Sequence, residues 1–179
     1  MTENKSMTKL TFQDWARVAI IPGPDQLKTQ LAVFDEEHQE YWDAKDNLER
    51  MDAICDQEQV LACIRQSDPS FDLTAQINDF MACEDDYLNN KGSAGMLARY
   101  RKAVIESNFS KFCDTEKKAM DSMIDYADIG IHSISIKRGN WFVIYCNETR
   151  AIDGKVYPKG KILKGVDFKH PEFYLAKYR

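Results

Sequence analysis

Ten carboxylates fall between Asp35 and Glu58: Asp35, Glu36, Glu37, Glu40, Asp43, Asp46, Glu49, Asp52, Asp56 and Glu58. Only Lys45 and Arg50 sit among them, so this stretch carries a net charge of −8. The whole chain of 179 residues carries −5, which leaves +3 for everything else. Two spacings organise the acids. On a helix that turns about 100° per residue, Glu36 and Glu40 lie about 40° apart and Glu37 about 60° from Glu40. Glu49, Asp52 and Asp56 follow i, i+3, i+7 and share an arc of about 60°. A short link around Ala44 to Asn47 can fold the two helices into an antiparallel pair, with six carboxylates facing one another across the seam. Oxygen donors at that density suit Mg²⁺, with Mn²⁺ as a substitute, because these ions take a few carboxylates and keep positions for water and phosphate. A solvated acidic face is the plainer reading of any single carboxylate. It does not account for both patterns within one helical hairpin.

The elements that must position these acids can be read from caps and periodicity. Thr11 caps a short amphipathic helix, with Asp14 at the capping-box position and Phe12, Trp15 and Val18 on one face. Pro22-Gly23-Pro24 breaks it. A second helix spans about Asp25 to Ala44, with Leu27, Leu31 and Phe34 as its apolar stripe, and a third spans about Asp46 to Gln66. A fourth runs from about Leu73 to Leu88, a fifth from the cap Ser93 through Lys111, and a sixth from Asp114-Thr115 to near Gly130. Only then do β-branched and aromatic residues flank a Gly139-Asn140 turn, which predicts a hairpin. From Lys155 onward seven bases face two acids in a turn-rich tail.

The totals bound the class. A chain of this length with 44% apolar residues is one globular domain, divided as 1–23 (helix and loop), 24–130 (helical core) and 131–179 (hairpin and basic tail). The acidic balance argues against wholesale binding to nucleic acid. No apolar run is long enough to span a membrane, and MTENKSMTKL has no export signature, so a cytoplasmic location is expected. Five scattered cysteines without a CxxC pair read as reduced thiols. His38 lies inside the acidic motif, where a helix-surface role is the simpler reading.

The acidic pattern, followed by Ser107-Asn108-Phe109-Ser110-Lys111 (SNxSK) and by Gly160-Lys161-Ile162-Leu163-Lys164-Gly165 (GKxLKG), resembles the all-α nucleoside triphosphate pyrophosphohydrolases. These include the MazG-like proteins and the phosphoribosyl-ATP pyrophosphohydrolases, and the last two motifs resemble the phage-borne and free-standing MazG-like branch. The similarity extends from about Pro24 to Phe173. It departs from the pattern at Ile105-Glu106, where His is common two residues before SN, and at Gln57-Glu58-Gln59, which interrupts an otherwise apolar run. The eight residues between Glu40 and Glu49 also make a short link.

The resemblance implies a mainly α helical bundle with a small C-terminal hairpin and basic tail, and attack of water on the α-phosphorus of a (d)NTP. It leans toward dGTP or GTP and implies a homodimer or a dimer of dimers, in the cytoplasm of a cell or of a phage host. Glu37, Glu40, Asp52 and Asp56 would be the core metal set, with Glu49 as ligand or outer support and Glu36 orienting or deprotonating the water. Lys111 would neutralise phosphate charge and Asn108, on the same helical face, would meet the same ligand. Lys161 and Lys164 would fold over the polyphosphate, and Trp15 could stack on a base, although core packing is its simpler role. A catalytically silent nucleotide- or metal-sensing module is the alternative. A helical adaptor whose basic tail docks on nucleic acid or an acidic partner is a more distant one.

Overall fold

In the computed structural model, which describes residues 10–178, the chain is mainly helical. The expectation about an export signal falls largely on residues 1–9, outside the described residues. Six helices of a turn or more precede the strands: α1 (Phe12–Ala19), α2 (Pro24–Asp43), α3 (Asn47–Ser67), α4 (Thr74–Asp86), α5 (Ala94–Phe109) and α6 (Glu116–Asp128). Their starts follow from local chemistry. Thr11 and Asp14 form the expected capping box, and Asp46, Ser93 and Thr115 each accept backbone N–H groups of the turn they open. Pro24 occupies the first turn of α2, where its missing N–H costs nothing.

α2 and α3 form an antiparallel hairpin across the short link 44–46. Each face of α2 has a separate destination. Leu27, Leu31 and Phe34 pack with Val60, Ile64 and Leu73 in one core cluster. Asp35, Glu36, Gln39, Glu40 and Asp43 line a shallow outer groove. Burial of the apolar stripes of α3, α4 and α5 builds the largest cluster, around Ile54, Cys55, Tyr87 and Tyr100. The fourth helix does not simply stop at Asn89. It widens into a π-turn, Tyr87–Lys91, and Gly92 then lies so close to the Tyr87 ring that no side chain would fit.

The hairpin is present as β1 (Ser133–Arg138) and β2 (Trp141–Cys146), joined by Gly139-Asn140 with Gly139 at φ 62°. A second hairpin, β3 (Arg150–Ile152) and β4 (Lys155–Tyr157), follows, and its tip Asp153-Gly154 takes positive φ at both residues, as a type I′ turn requires. A short helix, α7 (Pro171–Leu175), packs on α5. Neither of these last features is evident from the pattern of the tail. The free edge of β2 is covered rather than exposed: Cys113 exchanges backbone bonds with Phe142, Leu163 N–H donates to Ile144 and Cys146 N–H donates to Lys161. All five cysteines are buried and unpaired with one another. Among the described residues, no helix is long and apolar enough to cross a membrane.

Candidate functional site

The helical hairpin brings five of the six motif carboxylates into one electrostatic field. Burial lifts Glu37 to about 8, and Asp56, Glu40, Asp52 and Glu36 add to the rise by repulsion. Burial likewise lifts Asp56 to about 7, with Asp52 and Glu40 adding and Lys111 opposing. Asp52 is raised by burial too, offset by the Tyr100 hydroxyl, which donates to it at 2.9 Å. Glu49 stands apart. Its carboxylate accepts the Lys45 backbone N–H at 2.7 Å, while Asp46 caps the same turn, so in this structure it finishes the N-terminus of α3. The short link expected from sequence explains this: Glu49 lies in the first turn, where an orphan N–H claims it.

A cavity of about 600 Å³ joins the acids to the basic residues of the later motifs. Glu37 and Asp56 line it, and so do Lys111, Lys161 and Trp15. Burial pulls Lys111 below the usual lysine range; Asp56 counteracts that, while Lys164 and Lys161 add to it, so all three act on Lys111. Lys164 does not line the cavity. Its ammonium sits 4.0 Å from the centre of the Phe168 ring, within electrostatic reach of Lys111.

Two motifs met far apart in sequence are joined here by their backbones. Gly165 N–H donates to the Lys111 carbonyl at 2.9 Å, and a Cβ on Gly165 would approach Cys113 Sγ to 2.7 Å. Ser107 Oγ donates to the Lys169 carbonyl at 2.8 Å, and Lys169 N–H donates to Ser110 Oγ at 3.0 Å. The SNxSK serines thus anchor the tail, and the GKxLKG segment forms the cavity wall that carries Lys161.

Asn108 is buried and does not line the cavity. Its amide donates to Gln59 Oε1, and its carbonyl accepts Trp15 Nε1–H at 2.8 Å. Gln59 does line the cavity, and Asn108 holds its side chain there. Trp15 stacks on Phe112 with centroids 5.5 Å apart and is a core residue that shows part of its ring to the cavity beneath Lys111.

Sequence reasoning passed over Tyr100 and Glu172, whose carboxylate acts on Asp52 from α7. It noted Gln57 and Gln59 only as part of an interruption. Gln57 is fully buried, donates weakly to the Glu37 carbonyl at 3.4 Å and leaves its Oε1 without a partner.

The donor set fits a hard divalent cation. Among the described residues no three His, Cys, Asp or Glu side chains already converge as a ready metal-ligating group. Glu37 and Asp56 nonetheless present carboxylate oxygens to one cavity, the donor type that a hard divalent cation takes. Comparison with family models, curated proteins and solved structures yields no match.

Proposed function

We propose that the protein is a Mg²⁺-dependent nucleoside triphosphate pyrophosphohydrolase that converts a (d)NTP to a nucleoside monophosphate and pyrophosphate, within an all-α, MazG-like fold. One observation carries the reading: a single cavity is lined both by Glu37 and Asp56 and by Lys111 and Lys161. Acids alone would repel a triphosphate and lysines alone would bind it without chemistry. Together they suit a polyphosphate whose charge is shared between cations of the protein and a bound metal.

Glu37, Glu40, Asp52 and Asp56 would hold Mg²⁺ or Mn²⁺, which when bound polarises phosphoryl oxygens and acidifies a water. Glu36, next to Glu37 in the chain and exposed on the outer groove with Glu40, would accept the proton of the attacking water. Lys111 donates to a non-bridging phosphate oxygen; its burial keeps that charge undiluted by solvent. Lys161 closes over the departing pyrophosphate from the tail segment. Gln59, held by Asn108, supplies a fixed amide on the same wall. The reading includes a homodimer or dimer of dimers, which sedimentation of the purified chain would test.

The deciding assay supplies Mg²⁺ and a panel of (d)NTPs and scores pyrophosphate against orthophosphate. Pyrophosphate with monophosphate is expected. Orthophosphate alone would mean attack at the terminal phosphate and would defeat the proposal. Binding without turnover would favour the sensing module instead.

A further inference from the structure

The cavity continues well past its charged end. α2 and α3 run antiparallel, so the residues before Glu37 and those after Asp56 lead in the same direction. Along α2 the lining residues Gln26, Thr29, Gln30, Val33 and Glu37 follow i, i+3, i+4, i+7 and i+11, one stripe about 16 Å long at 1.5 Å per residue. Along α3, Asp56, Gln59, Val60 and Cys63 line the cavity over about 10 Å. A bare polyphosphate head would engage only the first part of this length.

The remote part has an unusual lining. Gln26 and Gln30 are half-buried, and neither amide has a hydrogen-bond partner among the described residues. Thr29 donates its hydroxyl to the Asp25 carbonyl at 2.9 Å and keeps its oxygen lone pairs. The same cavity is lined by apolar side chains of the loop after α1 and of the hairpin, including Ile21 and Ile134, which are 46% and 40% exposed. Large aliphatic groups left wet beside unpartnered amides form the mixed surface that recognises a flat ring bearing donors and acceptors on its edge. Amides that no protein group engages keep both their donors and their acceptor free for a ligand that enters the cavity.

Resting on the proposed function, we infer that the part of the cavity lined by Gln26, Thr29 and Gln30 is a nucleobase compartment, in which Gln26 and Gln30 read the edge of the base and Ile21 and Ile134 contact its faces. Base discrimination is thereby assigned to α2, the same helix that presents Glu37. An amide both donates and accepts, so each glutamine can make a paired contact to a base edge, and losing one such pair changes discrimination by about 10-fold or more.

The test uses the full chain with Mg²⁺, the four dNTPs and base-free inorganic tripolyphosphate, comparing wild type with Gln26→Leu, Gln30→Leu and the double variant. Leucine keeps the bulk and removes the amide, and melting curves confirm folding. Wild type is expected to prefer nucleotides over tripolyphosphate and to rank the four bases. The variants are expected to lose at least about 10-fold of that ranking and of the nucleotide-over-tripolyphosphate ratio. Variants that keep both the ranking and the ratio, or that lose cleavage of every substrate in equal proportion, would overturn the inference while the proposed function stands. A wild type that neither binds nor cleaves any of the five compounds would overturn both.

Discussion

At the scale of single residues, Glu37 and Lys111 do opposite things to the same cavity. Glu37 is held against its own charge by burial and by four neighbouring acids. Glu37→Gln should therefore stabilise the metal-free protein at pH 8, by about 1–3 kcal/mol in a denaturant titration with chelator, because a buried charge without a partner is removed. The same substitution should abolish the Mg²⁺-induced rise in melting temperature and reduce pyrophosphate release by 100-fold or more, roughly the loss typical of removing one electrostatic contact to the reacting centre. Lys111 separates structure from chemistry differently. Its backbone carbonyl holds Gly165, while its ammonium faces the cavity. Lys111→Met should leave the far-ultraviolet circular dichroism intact and lower kcat/KM by about 100-fold. An unchanged kcat/KM would assign the ammonium a merely dipole-complementing place at the end of α5.

Among the elements, the segment from Gly160 to Gly165 decides whether Lys161 reaches the cavity. It is fixed on one side to β2 and on the other to Lys111. Gly165→Ala would press a methyl group against Cys113 Sγ at 2.7 Å and the Lys111 carbonyl at 3.1 Å. Urea unfolding should show a loss of about 1–3 kcal/mol, the usual range for an overfilled contact, with KM raised as the wall shifts. The elements themselves were largely legible beforehand, because Thr11, Asp46, Ser93 and Thr115 are caps whose chemistry is local, and because Gly139-Asn140 dictates its own turn. β3–β4 and α7 were not, since three- and five-residue elements are too short to establish a period. Which acids meet was legible only from spacing along each helix. Glu49 is taken by a local bond at the start of α3, whereas the helix-to-helix register that admits Gln59 depends on packing that no local pattern records. Asn108 was expected to meet the same ligand as Lys111, but it does not line the cavity, and its buried amide turns inward to Gln59 on the neighbouring helix.

For the molecule as a whole, the acid cluster ties folding to pH and to divalent ions. Glu37 sits at about 8 and Asp56 at about 7, above their ordinary 4.5 and 3.8. An acid raised in the folded state binds its proton more tightly there. Its stabilising contribution is whole below the ordinary value and is lost as pH rises through the folded one. In chelator the melting temperature should thus fall between about pH 5 and pH 8. Millimolar Mg²⁺ should restore most at pH 8, where a cation replaces two missing protons. Scanning calorimetry across that range, with and without Mg²⁺, measures both. A melting temperature indifferent to pH and to Mg²⁺ alike would disconnect these carboxylates from any cation.

The tip of the second hairpin, Asp153-Gly154, is exposed, and the chain beyond it is fastened along its length: to β3, to β2, to Lys111, to the serines of α5 and, through α7, to α5 itself. Severing the backbone at that tip would leave every one of those bonds available. The two fragments should then recombine without a covalent link, which makes residue 153 a natural breakpoint for a split reporter whose signal is the return of the completed cavity.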